Sequence, residues 1–158
     1  MICNTLETLA EVAPSPGALM GLDLGTETIG VAVSDGFRSV ASPLETIRRK
    51  KFGKDAERLL AIAKDRAITG LVLGMPLNMD GSEGPRCQST RAFARNLSGL
   101  TDVPIAFWDE RLSTVAAERA LLEADTTRKR RGEVIDHVAA SYILQGALDR
   151  LAHLRREA

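Results

Sequence analysis

Two apolar runs, Leu19 to Leu24 and Ile29 to Ser34, stand either side of Gly25 to Thr28. Both are rich in residues that favour an extended backbone, and the intervening segment supplies a reversal, so the pair predicts a β-hairpin. Asp23 breaks the apolar pattern. A carboxylate inside such a strand must be paired, protonated or bound to a cation, because burying it bare costs more than the strand gains from packing. Gly21, Gly25 and Gly30 surround it and remove side chains that would block a ligand or another backbone. The strand therefore reads as the floor of a site. The alternative is an Asp that caps the turn through Thr26 or Thr28.

The chain of 158 residues is one domain by length, large enough to bury roughly 70% of the surface its unfolded form exposes. Lys plus Arg and Asp plus Glu both number 21, so a polyanionic partner would have to be held by local clusters and not by the overall field. Cys3 and Cys87 match no metal spacing, which favours a reduced, cytoplasmic setting. No basic leader and no bilayer-length apolar run is present, so no membrane partner is expected.

Residues 1–18 end in Pro14-Ser15-Pro16-Gly17 and read as a flexible N-terminal extension, with residues 19–158 forming the domain. After the hairpin, Val40 to Ile47 predicts a third strand, placed at an edge by Pro43. Asp55 to Arg66 has helical spacing, and Leu71 to Leu73 reads as a strand buried on both faces. Gly74 to Pro85 is a long loop of functional type, followed by a helix from Arg86 to Leu97. Val103 to Trp108 predicts a strand that ends in Asp109-Glu110-Arg111. Ser113 reads as the N-cap of a helix through Glu123, and a last helix is expected from about Glu133 to Arg155. These elements predict an α/β fold: a five-stranded mixed sheet, three antiparallel strands then two parallel ones, with helices on both faces.

Parallel strands present ligands at their carboxyl ends, where Asp109 and Glu110 lie and which Asp23 can share. Asp136 falls at helical spacing with Ala140, Ile143 and Ala147, on the face that packs against the sheet; a first-turn Asp facing the helix N-terminus is the plainer reading. If three carboxylates converge, each like-charge pair about 5 Å apart costs roughly 3 kcal/mol at an effective dielectric near 20, and a proton or a cation relieves it. Oxygen ligands suit Mg²⁺ or Mn²⁺, which support phosphodiester hydrolysis, and the lack of a His or Cys cluster argues against zinc. His137 reads as structural, with proton transfer as its alternative role. Two basic knots, Arg48 to Lys51 and Arg128-Lys129-Arg130-Arg131, together with Arg86, offer local charge for a phosphate chain. Trp108 reads as core.

Gly21-Leu22-Asp23-Leu24-Gly25-Thr26 with Ile29 to Asp35, Gly74 to Gly81 with Gly84-Pro85, Asp109 to Thr114, and Ile135-Asp136 with Ala139-Ala140 and Ile143 to Gln145 together resemble the YqgF (RuvX) family. Its members are pre-16S ribosomal RNA nucleases, earlier described as Holliday-junction resolvase-like proteins, and the resemblance spans about residues 19 to 150. It implies a ribonuclease H-like fold and divalent-metal cleavage of nucleic acid, with trimming of the ribosomal RNA precursor's 5′ end as the usual assignment. Asp23, Glu110 and Asp136 would then be both catalytic and metal-holding. Related resolvases carry an acid after the first crossover strand, where Gly74-Met75 stands here, so Asp109 is an alternative to Glu110. Arg111 would fit a phosphate contact, and the loop from Asn78 to Gly84 would fold over the substrate.

The same resemblance leaves pre-rRNA within the small-subunit precursor, or branched DNA, as partner, and a monomer or a homodimer as the working form. A non-catalytic nucleic-acid-binding module that keeps the acids is a rival. Asp23-Leu24-Gly25-Thr26 is also similar to the phosphate hairpin of sugar kinases and actin-like ATPases, but those need two such domains and the chain is too short.

Overall fold

The computed structural model describes residues 1–112 and 128–157, with side chains described for 1–112 and 136–156. The helix expected from Ser113 to Glu123 lies outside the described residues.

Strands β1 (Ala18–Leu24), β2 (Thr28–Ser34) and β3 (Ala41–Arg48) form an antiparallel meander, and β4 (Ile68–Met75) and β5 (Ile105–Asp109) add in parallel beside β1. The order is β3-β2-β1-β4-β5, the mixed sheet the sequence predicts. Pro43 sits where a bulge shifts the register between β2 and β3, at an outer strand whose missing N–H does least harm. β4 is longer than the Leu71 to Leu73 run, because Thr69 and Gly70 interrupt the apolar signal, and the strand continues through a register shift at Thr69.

Helices α2 (Phe52–Asp65) and α3 (Pro85–Ser98) cover one face of the sheet. α2 buries Ala56, Leu59, Ile62 and Ala63, one stripe at helical spacing, and Phe52 meets Phe93 of α3 edge to face at 5.3 Å. On the other face lie α1 (Leu6–Val12) and the long α4 (Arg128–Glu157). Ala139, Ala140, Ile143, Leu144, Ala147, Leu148 and Leu151 of α4 pack there against Leu19, Ala32, Val72 and Trp108. Close approach depends on missing side chains: a Cβ on Gly21 would lie 2.7 Å from Leu144 Cβ, and one on Gly146 would lie 2.9 Å from the Trp108 ring. Trp108 is thus part of the core, as expected.

Residues 1–18 depart from the expected flexible extension. Thr5 caps α1, whose Leu6 and Leu9 are buried together with Cys3 and Ala13. Ile2 bridges Ile105 in parallel, and the Ile105 amide donates to the Met1 carbonyl while the Cys3 amide donates to Ile105. The segment thereby covers the open edge of β5. Its return is held by Arg38, 7% exposed, which donates to the carbonyls of Gly17 (2.8 Å) and Pro14 (2.6 Å) and to the Thr69 hydroxyl (3.1 Å). Arg38→Ala is expected to lower stability by about 3 kcal/mol, since charged hydrogen bonds disappear and buried carbonyls are left unsatisfied. A fall in the urea midpoint would register it, and Arg38→Lys should recover little because an ammonium cannot span the same acceptors.

Candidate active site

Asp23 is the penultimate residue of β1 and only 3% exposed. Side chains alternate along a strand, so Asp23 shares its face with Gly21, whose Cβ position abuts α4. Across the hairpin it pairs with Gly30, and a Cβ there would overlap the carbonyl of Asp136 in α4. On its other side β4 runs parallel with Leu22 opposite Leu73, which sets Gly74 beside Asp23. A Cβ on Gly74 would meet Glu110 Oε1 at 2.5 Å and Ile143 of α4 at 2.6 Å. Two glycines thus flank the buried carboxylate, with Asp136 above one and the Glu110 carboxylate above the other. Asp23, Glu110 and Asp136 all occupy the α4 side of the sheet at the carboxyl end of β1.

Strand alternation sends the neighbouring acids to different sides of the sheet edge. Trp108 joins the α4 side of the core and Phe107 the other, where Arg91 of α3 stacks over its ring at 5.2 Å, so Asp109 points away from Asp23. There Arg111 donates to it through Nε and through Nη2 at 2.7 Å, and this guanidinium holds the Asp109 carboxyl below the usual carboxylate range. Glu110 opens the single 3₁₀ turn Glu110–Leu112 and turns back over Gly74.

Asp136 is oriented by a partner that sequence patterns do not single out. The Thr28 hydroxyl, at the start of β2, donates to Asp136 Oδ2 at 2.5 Å. From sequence Thr28 reads only as part of the reversal, in the turn that Asp23 would cap through Thr26 or Thr28; in the structure the Gly25 amide and the Thr28 carbonyl close the turn at 2.9 Å and leave the hydroxyl for α4. The signal is the second threonine of Thr26-Glu27-Thr28, whose target, 108 residues away, no local pattern reveals. Next to it His137 Nδ1 pairs with the Thr46 hydroxyl at 2.9 Å, which ties α4 to β3 and matches the structural reading of that residue. Thr28→Val is expected to cost roughly ten-fold to a hundred-fold in Mn²⁺ affinity or cleavage, as loss of a hydrogen bond behind a ligand commonly does, while Thr28→Ser keeps both. Mn²⁺ titration beside a cleavage assay would measure it.

Asn78 and Arg111 hold the long loop together. Asn78 accepts from the Gly81 amide, and its Nδ2 donates to Ser82 Oγ at 3.0 Å; Arg111 Nη1 donates to the Met79 carbonyl at 3.2 Å. Gly81 has φ +88°, a left-handed conformation, and lies against the Arg111 guanidinium. Arg111 therefore docks the loop beside Asp109, with most of its donors committed to protein. Arg86 is exposed at the start of α3 and donates to the Leu24 carbonyl at 3.3 Å, next to Asp23. Lys129, Arg130 and Arg131 lie on the first turns of α4, with side chains outside the described residues.

Among the described residues no three acidic, histidine or cysteine side chains are gathered tightly enough to hold a metal ion as they stand. The donor set nevertheless fits a hard divalent cation in kind: it is all oxygen, and one member is deeply buried. No described helix is long and apolar enough to cross a membrane.

Residues 17–150 match the family described as "RuvX: Holliday junction resolvase". A protein of Ruegeria pomeroyi named "Putative pre-16S rRNA nuclease" is 76% identical over 154 residues, covering 98% of this chain and all of that one. One of the same name from Paracoccus denitrificans is 74% identical over 156 residues, 99% of each chain. Among solved structures, Thermus thermophilus RuvC in complex with a Holliday junction substrate superposes with a TM-score of 0.53 at 13% identity, covering 85% of this chain and 96% of that one. The yeast mitochondrial Holliday junction resolvase gives 0.50 at 10%, covering 96% and 86%. At such identities these two speak to the fold, which is ribonuclease H-like. A family match over most of the sequence and relatives alike from end to end lead to one conclusion: this chain belongs to the RuvX family.

Proposed function

We propose that the chain is a divalent-metal-dependent nuclease that trims the 5′ end of the pre-16S ribosomal RNA in the cytoplasm, with Asp23, Glu110 and Asp136 as its catalytic acids. The observation that carries this reading is the placement of those acids on one side of the sheet, around a carboxylate 3% exposed. The relatives' names supply the substrate, and the small-subunit precursor would be the larger partner. When bound, Mg²⁺ or Mn²⁺ supplies an activated water and neutralises charge at the leaving oxygen. The protein's part is positional. Asp23 is fixed by its pairing with Gly30 of β2 beside the end of the β1–β4 ladder, Asp136 is aimed by Thr28, and Glu110 is carried on a short helical turn beside Gly74. Arg86 and the Lys129 to Arg131 run would hold the phosphate chain, while Arg111 keeps the Asn78 loop at the cleft.

A second substrate, branched DNA, is favoured by the family's description as a junction resolvase. A cleavage assay with a pre-16S 5′ fragment beside a four-way DNA junction, each with Mg²⁺, Mn²⁺ or EDTA, tests both. Cation-dependent cutting of the RNA fragment supports the main reading, preferential cutting of the junction replaces it with the second, and binding without any cutting makes the chain a nucleic-acid-binding module.

A further inference from the structure

On the side of the sheet opposite the acids, the turn after β1 borders a cleft of about 440 Å³. Its walls carry Arg49, Lys50 and Arg86, with the hydroxyls of Thr26, Ser89 and Thr90, and among the described residues no acidic one lines it. Two of the cations are held in place. Arg49 Nη1 donates to the Gly25 carbonyl at 2.6 Å, and its guanidinium lies 5.6 Å from the centre of the Phe93 ring; Arg86 Nη2 donates to the Leu24 carbonyl. Leu24 and Gly25 directly follow Asp23, so the backbone that carries the buried acid towards α4 anchors two guanidiniums on its other side.

A neighbouring cleft shows what a merely solvated charged surface looks like here. It is lined by Arg48, Lys50, Lys54 and Arg58, but also by Glu45, Asp55 and Glu57, and Arg58 forms a bidentate pair with Glu45. Its charge is satisfied internally. The cleft at the β1 turn has cations and hydroxyl donors with no counter-charge among the described residues of its walls, a donor set that matches phosphate oxygens.

We infer that this cleft is a subsite for a backbone phosphate of the nucleic-acid strand, next to the one placed at the acids. The inference rests on the nuclease reading for its ligand. It adds Arg49, Lys50 and the hydroxyls of Thr26 and Ser89 to Arg86, the Thr90 hydroxyl being given to the Arg86 carbonyl, and it makes the β1 turn a saddle: acids on one flank, phosphate donors on the other.

The test is equilibrium binding of a short fluorescein-labelled single-stranded RNA in EDTA, across a salt series. Lys50 and Arg86 are both exposed, so the double variant K50Q/R86Q should fold normally. It is expected to bind roughly ten-fold or more weakly, as removal of charge-assisted hydrogen bonds implies. Its salt slope should shrink by about 0.7 for each phosphate the variant no longer neutralises. The control K54Q/R58Q, with the same change in charge at the neighbouring cleft, should bind like wild type. Equal weakening in both doubles, or none in K50Q/R86Q, overturns the subsite. So does a cleft that takes ATP, with ATP binding abolished in K50Q/R86Q while RNA binding is untouched. The two readings fail separately: a wild type that shows this binding pattern but never cuts with Mn²⁺ removes the nuclease and leaves the subsite. A wild type that cuts, beside a double variant that binds like it, removes only the subsite.

Discussion

Asp23→Asn is expected to abolish cleavage, by at least about a thousand-fold or ~4 kcal/mol of transition-state stabilisation, while leaving the fold intact. The amide is isosteric, so the ladder to Gly30 and the neighbouring β4 need not shift. What disappears is the charge that draws a cation to the buried end of β1. Stability in EDTA should stay within about 1.5 kcal/mol of wild type, because the amide fills the same buried space. Single-turnover cleavage, paired with urea unfolding in EDTA and in Mn²⁺, separates these effects. Wild type should gain stability from Mn²⁺, in proportion to the logarithm of cation over Kd, and the variant should not.

Gly30→Ala is expected to be the most damaging glycine-to-alanine change among the described residues. The added Cβ would occupy the space of the Asp136 carbonyl, which is backbone of α4 and cannot rotate away. Overpacking of this kind costs typically about 1–3 kcal/mol, and more where the obstacle is rigid, so a loss near or above 3 kcal/mol is expected. Whatever population still folds must carry α4 displaced, with Asp136 drawn away from Thr28 and from Asp23, so activity should fall even under folding conditions. Gly36→Ala is the control. No described atom lies within 4 Å of its Cβ position, and its urea midpoint should match wild type.

The parts of the fold legible from sequence are those governed by local pattern. The hairpin announces itself by apolar runs, and Asp23 by violating them; Pro43 marks the edge strand because a missing N–H is tolerated there. The site is half legible. Motif position places Asp109 and Glu110 at a strand end, but choosing between them requires knowing which side of the sheet Phe107 and Trp108 face. Arg111 looks like a phosphate ligand because exposed arginines often are, yet Asp109 and the Met79 carbonyl claim it. The N-terminal segment escapes because α1 has seven residues, too few for a period to stand out, and because its anchor, Ile2 against Ile105, joins distant parts of the chain. Arg38 escapes for the same reason: its acceptors are mostly carbonyls, which no side-chain pattern encodes.

The claim on which the rest depends is that Asp23, Glu110 and Asp136 share one divalent cation site. Anomalous diffraction from crystals soaked in Mn²⁺ addresses it directly. The account predicts a peak between β1 and α4 with oxygens of all three carboxylates as ligands at about 2.0–2.3 Å, Asp136 still held by Thr28 through Oδ2. A peak held by Asp109 instead of Glu110, or Mn²⁺ bound only away from Asp23, would contradict it.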